Sequence, residues 1–114
     1  MLANENEEIQ IETVRVLSNL SRHSELCSEQ FTNDEKFLST LIIVLDHTLR
    51  DLVFYSVGII INMSLHKASR PALLKMKVVD KLIDVLKDAN LEDMDLAKVA
   101  AKAIHNLQGV ENTN

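Results

Sequence analysis

Asn19, Asn62 and Asn106 lie 43 and 44 residues apart. A primary amide donates and accepts at once, so it can pair with the C=O and the N–H of another backbone together. Three such amides at a fixed interval could read an extended peptide. The same amide can instead cap its own helix end or tie down the loop that follows. Little else in the chain suggests covalent chemistry. His23 and His66 each lie four residues after an asparagine. Two imidazoles without a third ligand make a poor metal site, and exposed loop histidines are the simpler reading. The lone Cys27 has no basic residue close to it in heptad terms and reads as a packed thiol rather than a nucleophile. There is no Gly-rich phosphate loop, no pair of carboxylates flanked by sheet and no Ser–His–Asp arrangement at strand ends. An enzyme would need a pocket holding a perturbed His or carboxylate. No catalytic residue, metal site or cofactor is expected.

The residues around each asparagine repeat too. The stretches 9–21, 52–64 and 96–108 agree position by position. Ten residues before the Asn stands Ile9, Leu52 or Leu96; six before, Thr13, Ser56 or Ala100. Three and two before stand Val16–Leu17, Ile59–Ile60 and Ala103–Ile104, and one after, Leu20, Met63 or Leu107. These offsets fall on one face of a 3.6-residue helix. The asparagine therefore closes an amphipathic helix at a fixed angle to its buried stripe. A unit of this length, repeated, implies a stacked array in which each unit buries its apolar face against its neighbours.

Composition fits that reading. The chain has 114 residues, one domain's worth, and is 46% hydrophobic, with two Gly and one Pro. So few turn residues, and no strict two-residue alternation, make the chain all helical. No apolar run approaches a membrane span, and the start does not resemble a signal peptide. One cysteine cannot form an internal disulfide, which suits a reducing compartment; an intracellular, cytoplasmic setting is expected, with nucleus or cilium as the alternatives. A net charge of −5 argues against nucleic acid as the partner.

Cap and break signals divide the chain further. Asn4 with Glu7 resembles a capping box for a first helix running to Ser21. A short helix is expected over 24–32, and a longer one over 35–47 after the Thr32-Asn33-Asp34 break. Thr48 with Asp51 is placed to cap the next helix, ending near His66. A short helix starts around Ser69-Arg70-Pro71, where proline suits a first turn. The segment 78–88 repeats the Leu-Ile-x-Val-Leu core of 37–47. Asn90 with Asp93 would open the last helix, and Gly109 would end it. The unit is a short helix, a longer helix, then a long Asn-bearing helix. Residues 1–21 supply the third helix of an incomplete unit, 22–64 and 65–109 two complete units, and 110–114 a polar tail.

The pattern resembles the armadillo repeat, whose third helix ends in an Ala-Leu-x-Asn-Leu signature. The matching residues are Val16-Leu17-Ser18-Asn19-Leu20, Ile59-Ile60-Ile61-Asn62-Met63 and Ala103-Ile104-His105-Asn106-Leu107. The second-helix cores Leu41–Leu45 and Leu82–Leu86 match as well. The resemblance covers nearly the whole chain and implies a right-handed α-solenoid of three-helix armadillo (ARM/HEAT-like) repeats, here the C-terminal repeats of a larger armadillo-repeat protein. The family often has a Gly between its first two helices; here those junctions read Thr32-Asn33-Asp34 and Met76-Lys77. The Trp that nuclear-import members carry four residues before the Asn is replaced by Arg15, Gly58 and Lys102.

Armadillo arrays bind an extended peptide or a helix of a partner protein along the groove of third helices. The resemblance thus implies a non-enzymatic interaction module or scaffold. Its groove would be lined by Glu12, Arg15, Asn19, Tyr55, Asn62, Val99, Lys102 and Asn106. The alternative is a purely structural segment of a longer solenoid, such as an axonemal assembly protein, since some family members belong to the ciliary axoneme. A basic cluster, Lys67, Arg70, Lys75, Lys77 and Lys81, is the alternative partner site; a solvated face is its simpler reading. Gly58 in a helix interior implies a close approach by a neighbouring helix or a ligand. Leu17, Leu20, Leu41, Leu45, Ile60, Met63, Leu82, Leu86, Ile104 and Leu107 are the expected core. The first helix lacks the earlier helices of its unit, so its apolar residues should be partly exposed, favouring self-association or marking an excised piece.

Overall fold

The computed structural model describes residues 3–23, 25–89 and 92–108; within these, side chains are described from Glu7 onward except those of residues 25–27. Among the described residues seven helices follow one another: α1 (Ala3–His23), α2 (Glu25–Thr32), α3 (Glu35–Val44), α4 (Arg50–Ser64), α5 (Arg70–Lys75), α6 (Val78–Ala89) and α7 (Met94–Gln108). No strand occurs among the described residues. The long helices α1, α4 and α7 stack side by side in that order, and α6 runs along α7. The protein is a flattened body of 49 × 33 × 22 Å.

Local chemistry sets the ends. Asp34 is extended and its Oδ1 accepts from the Phe37 N–H at 3.0 Å, starting α3. That helix stops three residues before His47. The amides of Leu45, Asp46 and His47 turn back to the carbonyls of Ile42, Ile43 and Val44, a tighter 3₁₀-type closure. Thr48 does not cap α4. The residue before α4 is Leu49, which makes no side-chain cap, and its own N–H donates to His47 Nδ1 at 3.1 Å. At the equivalent place before α7 stands Asp93, whose Oδ1 accepts from the Leu96 N–H at 3.1 Å. Asp93 thus caps α7; Asn90 and Gly109 lie outside the described residues. Asn4 sits inside the first turn of α1, and its side chain lies outside the described ones.

The two junctions where the family often has Gly differ. The α2–α3 break is made by the Asp34 cap. At the α5–α6 break Lys77 takes φ 58, the left-handed conformation in which glycine is least strained.

The core is continuous from α3 to α7. Leu41, Leu45, Ile60, Met63, Leu82 and Leu107 are buried as expected. Leu17, Leu86 and Ile104 are half-buried and pack against that core. Leu20 departs: it is exposed, although Met63 and Leu107 at the same repeat position are fully buried. The physical reason is cover. The third helix α7 has α6 along its flank, and no described second helix plays that part for α1.

Candidate functional site

Two of the three asparagines, Asn62 and Asn106, are first of all ties between neighbouring third helices. Asn62 Nδ2 donates to the Ser18 carbonyl and to Ser21 Oγ, each at 2.9 Å. Asn106 Nδ2 donates to Ser64 Oγ at 3.1 Å. Both serine hydroxyls are buried and donate three residues back, Ser21 to Ser18 O at 2.8 Å and Ser64 to Ile61 O at 2.6 Å. The joint recurs one repeat apart: amide of one third helix, hydroxyl of the previous one, and the carbonyl three residues before that hydroxyl, which Asn62 also reaches directly. The last four carbonyls of a helix lack intrahelical partners and are available for such bonds; Ile61 is among them, and Ser18 lies just before them. The short helices use them too: Ser28 Oγ donates to Ser21 O at 3.5 Å, and Arg70 Nε to Ser64 O at 2.7 Å.

This joint has a sequence signal that the asparagine pattern alone misses. A serine follows two residues after the Asn in the first two copies, at Ser21 and Ser64, and Gln108 stands there in the third. Gly58 belongs to the same contact. A Cβ on it would lie 2.9 Å from Ser18 Oγ, so the close approach is made by α1.

The remaining candidate groove residues divide by exposure. Glu12, Arg15, Asn19 and Lys102 are exposed; Tyr55, Asn62 and Asn106 are half-buried; Val99 is half-buried and packs on the core. Arg15 Nε donates to Glu12 Oε1 at 2.7 Å. That bond holds the Glu12 carboxyl below its ordinary value and raises the Arg15 guanidinium, with a smaller contribution from Tyr55 on the next helix. Tyr55 meets Phe54 edge-on at 5.5 Å.

A charged clamp joins the N-terminal ends of two third helices, away from the amide joint. Arg50, at the start of α4, donates through Nε and Nη2 to Asp93, at 2.6 and 3.0 Å, and lies over the Phe54 ring at 4.5 Å. The Arg50 bond, then that from the Leu96 amide, hold the Asp93 carboxyl below its ordinary range, and the same pair raises Arg50.

The basic cluster is only partly a free face. Arg70 is spent on the Ser64 carbonyl, and Lys81 Nζ pairs with Asp46 at 2.7 Å; Lys67, Lys75 and Lys77 are exposed. His23 lies exposed in the last turn of α1, whereas His66 is half-buried beyond α4. The side chain of Cys27 lies outside those described. Among the described residues no group of three or more His, Cys, Asp or Glu could hold a metal ion, and no helix is long and apolar enough to cross a membrane.

The chain matches no protein-family model and no solved structure. It is similar to Armadillo repeat-containing protein 2 of Mus musculus, 32% identical over 107 residues. It is likewise similar to the proteins of that name from Homo sapiens, at 30% over 107 residues, and Bos taurus, at 28% over 106. Each match covers 93% of this chain and 12% of the relative, so the chain spans about an eighth of the length of these relatives.

Proposed function

The chain belongs to the armadillo-repeat proteins, as its likeness to those relatives over 93% of its length supports, and from that premise we propose that it is a non-enzymatic protein-interaction module. In this reading its repeats form a right-handed solenoid, and a partner peptide or helix lies across α1, α4 and α7. The observation that supports the site is the repeated amide joint. By fixing Asn62 and Asn106 against the helix before, it sets the three long helices in one register. Positions seven and four residues before each asparagine then form a row, with Glu12 and Arg15 on α1, Tyr55 on α4, and Val99 and Lys102 on α7.

The joint also changes what the amides can offer. Both Nδ2 hydrogens of Asn62 are used inside the fold. Its Oδ1 remains, an acceptor for a partner's backbone N–H. Tyr55 supplies the large contact, and Arg15, Glu12 and Lys102 select charge at the rim. A purely structural role is the second reading, favoured by that internal use of the Asn62 donors.

The test is to capture a partner by pull-down and titrate it against the wild type, Tyr55→Ala, Lys102→Glu and a Lys75→Ala/Lys77→Ala double variant. Tyr55→Ala should weaken binding by about 1–3 kcal/mol. Loss of the partner in the lysine variant, with binding kept in the other two, moves the site to the basic cluster.

A further inference from the structure

We propose that the face of α1, α4 and α7 takes an extended segment in which acidic residues flank an apolar one, about three residues to either side. This rests on the partner face of the preceding section and names the chemistry it selects.

The first observation is a division of charge along the helices. No Asp or Glu occurs in residues 13–23, 52–66 or 96–108. The acids come earlier. Glu8, Asp51 and Asp95 each stand eleven residues before the Asn of their helix, and all three are exposed. Arg15 and Lys102 stand four residues before it. The seven residues between those two positions span about 10 Å of helix, roughly a Debye length at physiological salt. An acidic segment is therefore repelled from the first turns and drawn to the C-terminal halves, where Asn62 offers its Oδ1.

The second observation is a division across the stack. The cations of these stretches stand on the outer helices, Arg15 and Arg22 on α1, Lys98 and Lys102 on α7. Between them α4 carries no Asp, Glu, Lys or Arg from Leu52 to Leu65. It shows half-buried Tyr55 and, at its end, Leu65, 62% exposed. Gly58, at the position of Arg15 and Lys102, adds no side chain between them. The face thus reads cation, apolar, cation. A uniform polyanion would lay charge on the apolar strip; a segment with acids at either side of an apolar residue would not.

The third is that the cations are available. Arg22, Lys98 and Lys102 are exposed and make no hydrogen bond or ion pair among the described residues. Arg15 holds only Glu12 of its own helix, an exposed pair that exchanges at little cost. Arg50, Arg70 and Lys81 are by contrast tied to Asp93, the Ser64 carbonyl and Asp46. A cation in the last turn suits the helix dipole, which accounts for Arg22. Lys102 lies more than a turn from the end of α7 and has no such reason.

Spacing sets the register. Packed helices lie about 8–10 Å apart, and an extended strand advances about 3.3 Å per residue. The two cations of one row are then about six residues of strand apart, with the apolar residue over α4.

Three blocked peptides test this on the 114-residue protein: Glu-Ser-Ser-Leu-Ser-Ser-Glu, its counterpart with Lys for Glu, and heptaglutamate. Amide chemical shifts of the isotope-labelled protein report each titration. The spaced glutamate peptide should bind about tenfold tighter than the lysine peptide and about threefold tighter than heptaglutamate, with the largest shifts around Arg15, Tyr55 and Lys102. In Arg15→Glu/Lys102→Glu the preference should reverse, a gain that only a folded protein can show. Lys75→Ala/Lys77→Ala should bind as wild type does. A lysine peptide that binds wild type equally well overturns the acidic chemistry, and shifts still centred on Tyr55 and Asn62 would leave the face itself in place. Equal binding of heptaglutamate overturns the spacing, and an unreversed preference overturns the roles of Arg15 and Lys102. Shifts centred on Lys75 and Lys77 overturn both this proposal and the partner face. Absence of shifts with every peptide at about 1 mM overturns the proposal.

Discussion

The two outer helices of the stack, α1 and α7, hold the same repeat position and differ in almost every physical respect. The apolar stripe of α7 is closed under α4 and α6, while that of α1 is open at Ile9, Val16 and Leu20. Repeat phase tells which residues can be buried; the second helix alongside decides which are. The most forceful way to break this comparison is truncation at one repeat position. Met63→Ala and Leu107→Ala should each cost about 2–5 kcal/mol. Leu20→Ala should cost less than about 1 kcal/mol, being half out of water already. Chemical denaturation of the three variants checks this, and equal losses at all three would show that α1 is covered in solution.

The amide joints sharpen the same contrast at polar groups. Asn62→Ala removes two hydrogen bonds and should cost about 1–3 kcal/mol. Asn106→Ala removes one and should cost about 1 kcal/mol. Asn19→Ala should fall within about 0.5 kcal/mol of wild type, as for an ordinary surface change. Asn62→Asp is the stricter control. It keeps the shape but turns a donor into an anion facing the Ser18 carbonyl, so it should be worse than alanine. An aspartate as stable as the asparagine would remove the joint from the account of this fold.

Two backbone positions give effects near 1 kcal/mol. Gly58→Ala gains helix propensity but places a methyl 2.9 Å from Ser18 Oγ, a buried atom with one rotatable bond. A net loss of about 1 kcal/mol is expected for the single change, recovered in Gly58→Ala/Ser18→Ala. If the single variant is more stable than wild type, the two helices are not in such close contact. Lys77→Gly should stabilise by about 1 kcal/mol, because Lys77 is held at φ 58. The α2–α3 junction offers no such gain, since Asp34 solves that break with a side-chain cap instead.

These contrasts also mark how far the sequence could be read. The helix order, the three in-phase copies and most of the core follow from periodicity alone, because an apolar stripe at 3.6-residue spacing has one way to be buried. The exposure of Leu20 was not legible position by position, since its neighbours in sequence match those of Met63 and Leu107; the missing second helix beside α1 pointed only to partial exposure there. The candidate row was legible as positions but not as partners. Nothing in the pattern of asparagines says that their donors reach back to Ser18, Ser21 and Ser64, although the serine two residues on is a signal that could have been used. The Arg50–Asp93 clamp was hidden for a different reason. It joins residues 43 apart that hold non-equivalent places in the repeat, the first turn of one helix and the cap of the next.

That clamp gives the smallest effect and a direction that pH can test. Leu49 and Asp93 occupy the same place in successive repeats, and only Asp93 caps its helix and holds an arginine of the previous one. Its carboxyl is held below its ordinary range by the Arg50 bond first and the Leu96 amide second. A depressed carboxylate contributes stability that is fully present above its unfolded-state pKa and is lost as pH falls through the folded-state value. Asp93→Asn keeps a good capping oxygen but removes the charge. Wild type should therefore exceed Asp93→Asn in stability by a constant margin above about pH 5, and the margin should close as pH falls below about 4. Salt should narrow it as well, because the pair is partly in solvent. Leu49→Asn, by contrast, should show no pH-dependent margin at all, since neither side chain titrates. Denaturation midpoints of the three proteins across that range decide the matter: a margin that stays flat down to pH 3 would mean that the charge of Asp93 contributes nothing to stability.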